Sequence, residues 1–166
     1  MSTQFINTEK TKQDMYITTS SFNENVWYLE NTDFDINGNF VSKNFGNTPI
    51  LIMVQADWCG ACKIMKPYYQ KTADIVKEQS LDVIMTTIDY KENKNLLDRI
   101  SEPNSKFPFR VDGFPTIVLY MNGQYVKHNT GALRSVKSIL DYIKVETNEH
   151  VKSDDRKLKI RRGAYE

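Results

Sequence analysis

Cysteine is scarce in this chain, with two in 166 residues, and both fall inside one segment, Cys59-Gly60-Ala61-Cys62. A structural cross-link gains most by closing a long loop, so a bridge over two residues would restrain little. Such a pair is a poor staple and better suited to redox chemistry. Histidine is equally scarce, and neither His128 nor His150 has zinc-ligand spacing to the cysteines. Net charge is nearly absent, because 22 basic and 21 acidic residues leave +1. That gives no reason to expect nucleic acid or a membrane surface as partner. No run approaches the roughly 20 apolar residues of a membrane span. Met1 to Ile6 and the polar residues after them lack the apolar core of a secretory signal, and Gly163 to Glu166 is no retention signal. A cytosolic, reducing compartment is the expectation.

Apolar residues are present in good supply: 40% of the chain, with nine Tyr and eight Phe. That supports one packed core. The expected organisation is a polar extension over 1–21, a single domain over 22–147 and a basic, solvated tail over 148–166. The tail carries Lys152, Arg156, Lys157, Lys159, Arg161 and Arg162 without interleaved aromatics for base stacking.

Between the extensions, apolar patterning predicts strands over 26–29, 49–54, 83–89, 116–120 and 124–129. Asn122-Gly123 is a hairpin signal between the last two. Asp33 to Gly46 contains the turn signal Asn37-Gly38 and reads as irregular. Ala61, Ile64, Met65, Tyr68, Thr72, Ile75 and Val76 recur at helical spacing up to about Ser80, with Pro67 expected to kink that helix. A short helix over 91–100, a loop over 101–113 and a last amphipathic helix through Val136, Ile139, Leu140 and Ile143 complete the order. The result is an α/β mixed central sheet flanked by helices on both faces.

A C-x-x-C placed after a buried strand, at the start of a helix, has its own chemistry. The helix N-terminus presents unpaired N–H groups and a positive dipole end that favour an anion. Cys59, placed there, should titrate below the roughly 8.5 of a free thiol and act as nucleophile. Cys62, one turn further in and better shielded, can resolve a mixed disulfide. Half of a zinc site and an inert buried pair are the other uses of this spacing.

Trp58-Cys59-Gly60-Ala61-Cys62-Lys63 resembles the thioredoxin motif W-C-G-P-C-K and the W-C-G-H-C-K of protein disulfide isomerase domains. Pro67, Gly113-Phe114-Pro115-Thr116, Asn122-Gly123 and Gly131-Ala132-Leu133 match further family features in the same order. The resemblance covers about residues 24 to 145 and implies a thioredoxin fold with thiol–disulfide exchange on protein substrates. It implies that Cys59 and Cys62 are catalytic and that Trp58, Gly60, Phe114 and Pro115 flank the substrate. It further implies a cis bond at Phe114–Pro115 beside the sulfurs, exposing the Phe114 backbone to an extended substrate and keeping metal off the thiols. No bound cofactor is needed, because electrons pass to or from a thiol reductant or reductase. Phe34-Asp35 and Asn37-Gly38-Asn39-Phe40 resemble thioredoxins of large DNA viruses, which implies an infected cytoplasm or a virion.

Three departures matter. The family's buried carboxylate, six residues before the first cysteine, is replaced by Met53, and its partner lysine by Met85. Two methionines can pack together where a lone charge would be costly, so proton transfer at Cys62 is expected to be slower, or to run through water or Asp57. Ala61 stands where thioredoxin has Pro and isomerases His, which leaves the net direction open, with reductase, isomerase or oxidase, and a non-catalytic interaction module, as the alternatives. The loop from Ser101 to Asp112 is longer than in a minimal thioredoxin, as a specificity element or a tolerated insertion.

Overall fold

The computed structural model describes residues 22–100, 102, 111, 113–128 and 133–147. The readings of both extensions, of most of the 101–112 loop and of Gly131-Ala132 lie outside the described residues.

Strand β2 (Ile50–Gln55) is the spine of the sheet, and all six of its residues are buried. It pairs parallel with β3 (Ile84–Asp89) and antiparallel with β4 (Thr116–Met121). A two-residue β1 (Trp27–Tyr28) adds parallel to β3, and β5 (Gln124–His128) closes antiparallel on β4, giving the order β1-β3-β2-β4-β5. The hairpin between β4 and β5 turns at Asn122 and Gly123, with φ of 55° and 76°. Positive φ at both central residues is what a two-residue hairpin demands and what Asn-Gly tolerates.

Alternation along β2 divides the core. Leu51 and Met53 join Met85, Ile117 and Leu119 on one face. That face packs against Cys62, Met65, Tyr69, Ala73 and Val76 of α1 (Gly60–Glu78) and Ile139, Tyr142 and Ile143 of α3 (136–147). Ile50, Ile52 and Val54 point the other way. They meet Leu96, Leu97 and Ile100 of α2 (Lys94–Ile100) and Leu29, Phe34 and Phe45. The Tyr69 hydroxyl ties α1 to the sheet, lying 3.0 Å from the Leu51 carbonyl oxygen and 2.7 Å from that of Thr86.

The irregular stretch before β2 is well anchored. Phe34 and Phe40 bridge across a turn in which Gly38 has φ of 85° and the Asp35 carboxylate accepts the N–H groups of Asn37 and Asn39. A short side chain bonding its own backbone two residues on stabilises such a turn.

Three expectations are corrected. The first strand keeps only Trp27 and Tyr28, both exposed, because Val26 and Leu29 on either side turn into the core. The helix expected from Lys91 starts at Lys94, since Asp89 draws the preceding residues into a turn through Glu92 and Asn93. On α1 the core stripe is Cys62, Met65, Lys66, Tyr69, Thr72, Ala73 and Val76, while Ile64 and Tyr68 are exposed. The helix continues through Pro67, whose ring supplies no N–H to the Lys63 carbonyl.

Candidate active site

The chain leaves β2, makes a tight turn through Asp57 and Trp58, and enters α1 at Cys59. The Cys59 N–H donates to the Ala56 carbonyl at 3.1 Å, and the Cys59 carbonyl accepts from Lys63 at 3.2 Å. Cys59 is thus the N-cap, in extended conformation, and its Sγ accepts the Cys62 N–H at 3.0 Å. The cap position is normally held by an oxygen side chain; here a sulfur satisfies one of the orphan donors. Cys59 and Cys62 form a disulfide with Cα atoms 5.2 Å apart, and both are buried.

The turn before β4 supplies the opposite wall. Phe114–Pro115 is cis, and the Thr116 hydroxyl donates to the Gly113 carbonyl at 2.8 Å, closing that turn. The carbonyl oxygen of Phe114 lies 3.4 Å from Cys59 Sγ. The Phe114 ring stands edge-on to Trp58, 5.3 Å between centroids, and leans on Tyr90 at 5.2 Å. Trp58 itself is 65% exposed. Beside the disulfide, Ala61, Ile64, Met65, Tyr68, Phe114, Pro115 and Arg134 line a groove of about 210 Å³. A larger groove of about 700 Å³ runs between β1 and α1, and neither cysteine lines it.

All six residues singled out from the sequence therefore meet at one end of the sheet. Gly60 is exposed as the first residue of α1, and a Cβ there would touch nothing within 4 Å, so space does not require glycine. The apolar replacement of the charged pair is in place. Met53 and Met85 are both buried in the cluster that holds the cysteines, with Met85 opposite Leu51 and so diagonal to Met53. Asp57 is half exposed and lies 3.8 Å from Lys91. Among the described residues no group of three or more His, Cys, Asp or Glu could hold a metal ion. Among the same residues no helix is long and apolar enough to cross a membrane.

Sequence reasoning missed Lys66. It is only 2% exposed, on the same stripe of α1 as Cys62 and Tyr69. Its Nζ has no hydrogen-bond partner among the described residues and sits 5.8 Å from the Phe22 ring centroid. Burial, then the neighbouring Lys63, pulls its pKa down to about 8, while Asp89 and Asp57 pull the other way. The signal was available: a lysine four residues after Cys62 and three before Tyr69 falls on the buried stripe. Arg134 and Tyr90 were also missed, because nothing local in the sequence ties them to Phe114.

A profile of the family described as Thioredoxin matches residues 25–145. A thioredoxin-like protein, 453L of Invertebrate iridescent virus 6, is 30% identical over 130 residues, covering 74% of this chain and 94% of its own. Protein disulfide-isomerase 1 of Caenorhabditis elegans is 30% identical over 128 residues, covering 77% of this chain. The chain spans only 23% of that isomerase's length. Among solved structures, the first thioredoxin domain of mouse protein disulfide-isomerase A4 superposes with a TM-score of 0.55 at 24% identity, over 75% of this chain and 76% of that one.

Proposed function

This chain belongs to the thioredoxin family and is a thiol–disulfide oxidoreductase, and within that chemistry we propose that Cys59 attacks the substrate disulfide and Cys62 resolves the intermediate. The observation that carries this reading is the position of Cys59. It is the N-cap of a 19-residue helix, its sulfur receives a backbone N–H, and a substrate-facing carbonyl lies 3.4 Å away. A thiolate formed there is stabilised by the helix end and by the Cys62 N–H. Cys62, almost fully buried, reacts only with a partner that Cys59 has already captured.

The substrate in this reading is an extended segment of a protein, seated in the groove between Ile64, Tyr68 and Pro115 and paired with the Phe114 backbone. Trp58 and Phe114 form an apolar platform beside it. The electron partner is a small thiol or a thiol reductase. A reducing cytoplasm, or a virion assembled in one, suits a reductant; the viral relative supports that setting.

Turbidimetric insulin reduction with dithiothreitol tests the exchange reading. Wild type should accelerate precipitation and Cys59→Ser should not. Equal curves would favour an interaction module instead. Equilibration with glutathione then assigns direction: a potential near −270 mV marks a reductant, and about −180 mV an isomerase or oxidant.

A further inference from the structure

We propose that Lys66 is the general base that accepts the proton of the Cys62 thiol when that sulfur resolves the mixed disulfide, a role that rests on the exchange reading above. The Cys62 thiol is 1% exposed and must lose its proton to attack. Met53 and Met85, buried in the same cluster as Cys62, put apolar side chains where the family has its charged pair, and the buried carboxylate of Asp89 stands at the far end of β3 from Met85. Asp57 is half exposed and already lies against Lys91.

Lys66 is placed for the task by helix geometry. It follows Cys62 by four residues on one stripe of α1, which sets their Cβ atoms about 5–6 Å apart. Side chains on a helix lean toward its N-terminus, which directs the Lys66 stem toward the turn that holds Cys62, and its amine is buried there without a hydrogen-bond partner among the described residues.

The charged groups facing the amine are Lys63 on the same helix, Asp89 at the end of β3 and Asp57 in the turn before Cys59. The Phe22 ring, which also packs on Tyr69, lies under it. Lys63 and the apolar surroundings favour the neutral amine, and the two carboxylates favour the ammonium. The balance, about 8, leaves roughly a tenth of the molecules with a neutral amine at pH 7.

The step balances without another reactant. Cys62 Sγ–H gives its proton to Lys66 Nζ as the sulfur attacks Cys59 Sγ in the mixed disulfide. The Cys59–Cys62 bond forms and the bond to substrate breaks. The electron pair leaves with the substrate thiolate, which then takes a proton from the Lys66 ammonium or from solvent. The substrate disulfide ends as a dithiol and the protein as a disulfide.

The test mixes reduced full-length protein with a disulfide-bonded peptide and quenches in acid between pH 6 and 10. Mass spectrometry then follows two phases, mixed-disulfide formation and its resolution, with Cys62→Ser marking the first alone. In wild type the second phase should rise with pH and level off near 8. Lys66→Met and Lys66→Arg should both slow the second phase on the order of 100-fold at pH 7. The gap should close at high pH, where the thiol ionises unaided. Lys66→Gln serves in place of any variant whose circular dichroism shows misfolding. Wild-type resolution in Lys66→Met or Lys66→Gln overturns the proposal, and so does full rescue by arginine, which keeps charge but cannot accept a proton. A wild type that forms no mixed disulfide overturns the exchange reading itself.

Discussion

The sulfur of Cys59 and the carbonyl oxygen of Phe114 lie 3.4 Å apart, although 55 positions separate them in the chain. The pairing of β2 with β4 produces this contact, because Val54 opposite Thr116 fixes where both loops emerge. A sulfur and a backbone carbonyl are thereby presented side by side.

The Phe114 ring is held by Trp58 and Tyr90 rather than by the core alone. Phe114→Ala removes both ring contacts while keeping the backbone carbonyl. We expect kcat/KM for a protein disulfide to fall about 5- to 10-fold, in line with the loss of aromatic contacts worth about 1 kcal/mol. Alkylation of Cys59 by iodoacetamide should change less than about twofold, since that probe needs no platform. Comparing the two rates checks the assignment.

The two cysteines should fail differently. Cys59→Ser should lose turnover altogether, because buried Cys62 meets no substrate first. Cys62→Ser should still attack and then accumulate the mixed disulfide, visible on a non-reducing gel. Accumulation on the Cys59→Ser variant instead would reverse the roles.

Lys66 also carries a stability signature. Its folded value of about 8 lies below the 10.5 of the exposed side chain. Between those values the unfolded chain binds more protons than the folded one, so stability rises as pH rises through that window. The cost of the buried ammonium is fully present below pH 8. Lys66→Met removes it and should gain on the order of 2 kcal/mol at pH 7. The advantage should shrink between pH 8 and 10.5. Urea denaturation at three pH values measures this.

The element order was legible in the sequence because it depends on local signals, whereas the meeting of the six site residues followed only from the resemblance of their motifs to the thioredoxin family. A buried strand, a C-x-x-C at a helix start, an Asn-Gly turn and a proline segment each declare themselves within a few residues. The face of α1 was not legible in the same way. Ile64 and Tyr68 have the right spacing and chemistry for the core, yet the structure spends them on the groove and buries Lys66 and Tyr69 instead. Helical spacing defines a stripe, but which stripe turns inward depends on where Cys59 locks the first turn. The partners of Phe114 depend on tertiary contacts alone.

Restoring a carboxylate at Met53 tests the apolar exchange. Met53 is wholly buried and Met85 offers no charge to pair with it. Met53→Asp should therefore raise its own carboxyl pKa. With the folded value above the unfolded one, stability is lost as pH rises through the raised value. We expect a loss on the order of 3 kcal/mol at pH 7 and faster resolution where the new group is ionised, read by chemical denaturation and stopped flow.

Tyr69 reaches two carbonyls of adjacent strands from the middle of α1. Tyr69→Phe keeps the ring and removes the hydroxyl's hydrogen bond, while the Leu51 carbonyl still accepts from the Thr86 hydroxyl, and should cost about 1–2 kcal/mol of unfolding free energy. The reduction potential should stay unchanged, since the hydroxyl serves the joint between helix and sheet.

Strand β2 gives its odd-numbered residues to the side that holds the sulfurs and its even-numbered residues to the side covered by α2. Changes at Ile50 and Ile52 can thus be traded against Leu96, Leu97 and Ile100, whereas Val54 stays tied to the site through Thr116, and Phe114 and Tyr90 rest on this cluster too. The wall built by Phe114 therefore leans on both halves of the core, so a repacking behind the sheet is felt at the site through that one ring.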